Sequence, residues 1–211
     1  MNYQLKKIII ISTLIIAFLG ITYALYAFLM QIGVDEGYEP IQPIHFSHKI
    51  HAGDNQIDCK YCHSGARTSA VAGVPSLNVC MGCHNTISEY EGEEDLANGY
   101  TKEFYTKEIK KLYEAVGWDE QKFRYTGTPK GVQWIRIHKL PDFTYFNHSQ
   151  HVAVGGLECQ KCHGEVQQME VVQQYAPLTM GWCIECHRQM PVNANNPYYQ
   201  HYEEVHKALA K

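Results

Sequence analysis

Phe46-Ser47-His48-Lys49-Ile50-His51, then seven residues, then Cys59-Lys60-Tyr61-Cys62-His63 is the pattern that the rest of the chain repeats. Phe146, His148, His151, Cys159, Cys162 and His163 recur one hundred residues later, position for position. Each copy is followed by a second Cys-x-x-Cys-His, at Cys80, Cys83 and His84 in the first half and at Cys183, Cys186 and His187 in the second. All eight cysteines are thereby used, and the doubling predicts a duplicated module.

Two cysteines three positions apart can form thioethers to the two vinyl groups of one haem, and the adjoining histidine is then held where its imidazole reaches the iron. Four such motifs predict four covalently bound c-type haems, with His63, His84, His163 and His187 as proximal ligands. The same spacing suits tetrahedral zinc, and an even cysteine count suits a disulfide scaffold in an exported protein. Neither alternative accounts for the repeated upstream histidines.

The residue in an iron's second axial position decides between a carrier and a haem open to substrate. His48, His51, His148 and His151 match the four haems in number, which predicts bis-histidine iron throughout. The first histidine of each pair would serve one haem and the second its neighbour, making a dihaem unit of each half. With every iron saturated and every motif closed by histidine, no catalytic residue is assigned. Met180 and His138 are further ligand candidates, each with a bland alternative: packing for the methionine, a structural hydrogen bond for the histidine.

Ile8 to Met30 is a run of 23 residues without a charged side chain, long enough to cross a hydrocarbon core of about 30 Å as a helix. Lys6 and Lys7 precede it and Asp35 and Glu36 follow it, so the positive-inside rule leaves the N-terminus cytoplasmic and the rest outside. The competing reading is a cleaved signal peptide, for which Ala24 and Ala27 offer a poor small-residue site. The expected location is the bacterial inner membrane, single-pass, with the haem part on the periplasmic side.

Fifteen tyrosines, sixteen glycines and twelve histidines spread along loop-like sequence argue against a conventional hydrophobic core. Porphyrins would then supply much of the buried apolar surface. A formal charge of -4 argues against a nucleic-acid partner. Gly37 to His45, with Pro40 and Pro43, reads as an extended connector, and Ser64 to Asn78 as a loop. Between the second and third attachment motifs lie 74 residues, Asn85 to Glu158. Five acids in seven positions, Glu89 to Asp95, read there as a solvated face or loop. Thr101 to Val116 reads as a helix stopped by Gly117, and Val132 to Ile137 as a short strand. Asn196 and Pro197 open a helix to Leu209, on which His201 and His206 read as surface residues.

The doubled cassette, together with Val132-Gln133-Trp134, His138 to Phe146 and Ala176 to Arg188, resembles the multihaem cytochrome c subunit of alternative complex III, over about residues 40 to 200. Members of that family commonly carry five haems; this chain has cysteines for four. The resemblance implies an electron-transfer subunit, not itself an enzyme, in a membrane quinol-oxidising assembly. Its implied partners are an iron-sulfur subunit and polytopic quinol-binding subunits, with a small cytochrome c or a terminal oxidase as acceptor. The rival reading is a stand-alone tetrahaem quinol dehydrogenase feeding a periplasmic reductase. The expected fold is an N-terminal transmembrane helix plus a loop-rich, mainly α multihaem cytochrome c, class III or c7-like, built from two dihaem modules. Its segments are an anchor at 1–34, a first dihaem module at 35–90, an insert with one helix at 91–137, a second dihaem module at 138–195 and a C-terminal helix at 196–211.

Overall fold

The computed structural model describes residues 2–190 and 195–209. Residues 191–194 of the expected second module and 210–211 of the expected C-terminal segment lie outside the described residues, as does residue 1. The chain divides into two units, Met1–Asp35 and Glu36–Lys211.

The first unit is α1 (Tyr3–Met30), opened by the Asn2 side chain, which accepts from the Gln4 N–H at 3.3 Å. None of its residues is buried by protein, and it is the one described helix long and apolar enough to cross a membrane. Its two threonines fold their hydroxyls back onto the preceding turn, Thr13 onto Ile9 O at 2.9 Å and Thr22 onto Phe18 O at 2.8 Å. Both threonine hydroxyls thereby find a partner inside the helix, as a lipid environment favours.

The second unit is short helices joined by irregular chain. α2 (Cys59–Cys62), α3 (Leu77–His84), α5 (Gln160–His163) and α6 (Met180–Gln189) carry or border the attachment motifs; α4 (Lys102–Val116) and α7 (Pro197–Leu209) do not. The distal histidines sit at two π-helical turns, Lys49–Asp54 and Gln150–Val154. α4 begins and ends where its caps predict: Thr101 Oγ1 accepts from Phe104 N–H at 3.1 Å, and Gly117 stops it at φ +70°. β1 (Trp118–Asp119) and β2 (Arg124–Tyr125) form a two-stranded antiparallel hairpin, with Trp118 opposite Tyr125.

The expected strand at Val132–Ile137 does not form. That stretch is irregular, because the Gln42 side chain occupies both backbone groups of Ile135, donating to its carbonyl at 3.0 Å and accepting its N–H at 2.9 Å. A side-chain amide thus replaces the partner strand. Expected loop Ser64–Asn78 holds a 3₁₀ turn at Ser64–Arg67 and the start of α3.

The protein core is small. Met81, Leu112, Tyr113 and Val116 are its buried cluster, with Ile109, Leu77 and Trp118 against it. A second anchor for α4 is polar. Glu170 accepts from Tyr105 OH at 2.6 Å, His45 Nε2 at 2.8 Å and Ser47 Oγ at 2.7 Å. Buried Glu108 of α4 accepts the His45 backbone N–H at 2.8 Å and pairs with Lys111. Burial would raise the Glu170 carboxyl's pKa, but the hydrogen bonds from Tyr105, His45 and Ser47 outweigh it and hold it below its ordinary value.

The two halves cross-link reciprocally. Lys49 N–H donates to Met169 O at 3.0 Å, and Ser149 N–H donates to Ser69 O at 3.1 Å, so the one-hundred-residue offset holds on both sides of the bond. Each distal turn is thereby tied to the chain that follows the attachment motif of the other half. The approach is close enough that a Cβ on Gly53 would collide with the Gln167 carbonyl oxygen.

Two outcomes follow from this packing. Gly53→Ala should cost about 1–3 kcal/mol in chemical denaturation of the haem-loaded protein, while Gly131→Ala, whose added methyl meets open space, should change stability by less than about 0.5 kcal/mol. A carboxylate with a lowered folded-state pKa stabilises the fold above its unfolded value, and that contribution is lost as pH falls through the folded one. Glu170→Gln should therefore lower stability at neutral pH and flatten its decline below about pH 4.5, read from urea midpoints across the acid range.

Candidate haem-binding site

Cysteines at i and i+3 of a helical turn point to one side, and the next residue follows at the end of the turn. Cys59 and Cys62 take these positions on α2, begun by an Asp58 carboxylate that accepts Lys60 N–H at 2.7 Å. His63 caps it, its N–H on Cys59 O. Cys80, Cys83 and His84 lie on α3, Cys159, Cys162 and His163 on or beside α5, and Cys183, Cys186 and His187 on α6. None of the eight cysteines is in a disulfide. Among the described residues, no three His, Cys, Asp or Glu side chains converge as a structural zinc site requires.

The histidines meet in four pairs, each joining one distal to one proximal residue. His48 and His63 face one another with ring centroids 6.4 Å apart and planes 5° apart; His148 and His163 do the same at 6.4 Å and 10°. His51 and His84 stand 6.1 Å apart at 50°, and His151 and His187 5.9 Å apart at 82°. A ligating imidazole nitrogen lies about 2 Å from its metal and about 1 Å from its own ring centre, so two rings on opposite sides of one iron have centroids about 6 Å apart. All four pairs have that spacing, and the residues present fit haem. The first histidine of each cassette faces the first motif of its half and the second histidine faces the second motif.

Backbone carbonyls aim the rings. His51 Nδ1–H donates to Ser47 O and His151 Nδ1–H to Asn147 O, both at 2.8 Å; His63 donates to Gly73 O at 2.6 Å, His84 to Ile87 O at 2.9 Å and His148 to Ala70 O at 2.9 Å. In each, the bond at Nδ1 leaves Nε2 as the lone-pair nitrogen. Phe46 stacks on His51 at 4.2 Å and meets His48 edge-on at 4.8 Å, and Phe146 treats His151 and His148 likewise at 4.3 and 4.9 Å. The phenylalanine of the cassette is thus the wedge that holds both of its histidines.

Burial, then the neighbouring His63 and His51, lowers the His48 pKa to about 4. Burial, then His138, His148 and His63, lowers that of His163 to about 4. Burial likewise lowers His51, against a hydrogen bond to Ser47 that raises it. Neutral imidazole is the form that ligates metal.

The thiols also report which motifs adjoin. Burial, then Cys83 and Cys59, pushes Cys62 up; burial, then Cys62, pushes Cys80 up. Burial and then Cys59 raise Cys159, and burial, then Cys186 and Cys183, raises Cys162. Cys59 and Cys159 line one pocket, so the first and third motifs adjoin.

Met180 opens α6 and is 66% exposed, while His187 of the same helix faces His151. His138 meets the Nδ1 of His163 through its Nε2, at 3.1 Å, and stands at 84° to that ring, edge-on, not across an iron from it. His201 and His206 lie exposed on α7. Sequence reasoning missed Glu170, His45 and Tyr105 beside the first distal turn. A lone acid whose partners lie 65 and 125 positions away leaves no local pattern.

Residues 30–115, which include the first distal pair and the first two attachment motifs, match the Class III cytochrome C family. Over 122 residues the chain is 30% identical to the menaquinone reductase, multiheme cytochrome c subunit, of Nitratidesulfovibrio vulgaris, a match covering 58% of this chain and 45% of that one. The chain thus spans less than half the length of that relative. Residues 30–115 thus resemble a family that binds c-type haem covalently, and the relative is by its name a multihaem cytochrome c.

Proposed function

We propose that this protein is a membrane-anchored tetrahaem cytochrome c that relays electrons between a quinone-reactive membrane complex and a carrier or oxidase outside the membrane. The observation that carries the reading is the set of four facing histidine pairs, one for each attachment motif. Cys59 and Cys62, Cys80 and Cys83, Cys159 and Cys162, and Cys183 and Cys186 hold the four groups. His48 with His63, His51 with His84, His148 with His163 and His151 with His187 fill the axial positions.

Bound haem supplies reversible one-electron chemistry at its iron. The chain's own part would be to keep water and substrate off that iron with the paired rings, six of the eight held by a bond at Nδ1. It also brings the two halves together, for Cys59 and Cys159 line one pocket.

Lys6 and Lys7 before α1, and Asp35 and Glu36 after it, support a single span with the haem part on the periplasmic side of a bacterial inner membrane. The relative's name, menaquinone reductase subunit, supports a place in a quinone-reactive assembly, with iron-sulfur and polytopic quinone-binding subunits as partners. That name carries electrons toward quinone, whereas alternative complex III draws them from quinol. Saturated irons conduct either way, so the partners' potentials set the direction.

Haem released from the purified chain should number four per polypeptide by pyridine haemochrome titration. Alanine at His48, His51, His148 or His151 should turn one haem high-spin and leave three low-spin, in visible and near-infrared spectra. Gentle solubilisation should bring the chain out with iron-sulfur and polytopic subunits. Recovery of the chain alone, reduced directly by a quinol, would replace the relay with a stand-alone quinol dehydrogenase.

A further inference from the structure

The duplication is broken at one place that bears directly on a haem site. His63 and His163 are equivalent residues one hundred positions apart, and both face a distal histidine with nearly parallel planes. His63 donates its Nδ1–H to the Gly73 carbonyl. His163 instead meets the Nε2 of His138 at 3.1 Å. The residue one hundred positions before His138 is Tyr38, so the first half has no imidazole to match.

His138 is held there by bonds that leave its stretch of chain little freedom. Gln42 takes both backbone groups of Ile135, and Arg136 Nε donates to the His138 carbonyl at 2.9 Å. On the other side, Lys139 N–H donates to the Gln174 side-chain oxygen at 3.2 Å, and Gln174 is 1% exposed. Its backbone in turn is bonded on both sides, to Tyr38 O and from Gly37 N–H. A buried amide thus fixes the residue next to His138. This is also why the segment stays irregular.

We propose that His138 is a positioning residue for the third haem: its Nε2 accepts the Nδ1–H of His163, sets that ring's tautomer and orientation, and makes the first and third irons of the relay electronically unequal. An acceptor at Nδ1 moves electron density toward the ligating Nε2 and favours the ferric state, which lowers the reduction potential. Equal acceptors would leave the first and third haems as near twins. A carbonyl at one and an imidazole at the other separate them, which biases which half holds an electron.

The inference rests on His163 being an iron ligand, and the test distinguishes the two. His138→Leu removes the acceptor, and His138→Phe removes it with a ring of similar size should leucine not fold; His138→Gln offers an amide oxygen in its place. In the full-length haem-loaded protein, His138→Leu should keep four low-spin haems and move one of the four midpoint potentials upward, with the other three held. His138→Gln should bring that potential back toward the native value. Labelled histidine nitrogen resonances should show the His163 Nδ1–H exchanging with solvent faster in the leucine variant than in the native protein. Four unmoved potentials in both variants would reduce His138 to packing and overturn the proposal. A high-spin haem in His138→Leu would make His138 an iron ligand itself and overturn it too. His163→Met with four unaltered low-spin spectra would overturn instead the ligand assignment beneath it.

Discussion

A hydrogen bond from Nδ1 to a fixed acceptor is the interaction on which the rest of this molecule depends. An imidazole ring is free to spin about its own bond, and a ring that spins cannot hold a nitrogen over a point. In five of the eight histidines of the four pairs, a backbone carbonyl takes the Nδ1 proton, and in a sixth, His163, another imidazole does. The Gly73 and Ile87 carbonyls lie in irregular chain, while Ser47 O and Ala70 O take the ring N–H alongside the same histidine's backbone N–H. A regular helix would have consumed them in its own ladder. The loop-rich character that looks like poor folding is the condition for aiming the rings.

The same economy explains the small core. Seven apolar side chains are buried among the described residues, few for a unit that begins at Glu36. Stability comes from ties at particular points: the Glu170 anchor under α4, the Gln42 and Gln174 amides, and the reciprocal bonds between the halves. The reciprocal bonds also relate the two halves symmetrically, because each half ties down the other's distal turn.

What could be read from the sequence was whatever depends on near neighbours. Cys59 to His63 and its three counterparts are legible as motifs because their spacing is local. The helix from Lys102 to Val116 is legible because Thr101 and Gly117 cap it locally. Which distal ring faces which motif was not legible, since it depends on how the chain returns between His51 and His84, and between His151 and His187. Val132 to Ile137 has strand-like side chains, but a strand needs a partner, and Gln42, ninety-three positions away, fills that role. His138 was legible as a candidate and not as a role. Its partner, His163, lies beyond the whole second cassette.

The central claim is that the four ring pairs are the axial ligands of four irons. Low-temperature EPR of the oxidised, haem-loaded protein tests it most directly, because the angle between two axial imidazole planes governs the splitting of the iron orbitals and hence the anisotropy of the signal. The pairs with planes 5° and 10° apart should give rhombic low-spin signals, and the pairs at 50° and 82° strongly anisotropic low-spin signals. A spectrum with both classes and no high-spin component is the predicted result. A substantial high-spin signal, or a single class of low-spin haem, would contradict the account.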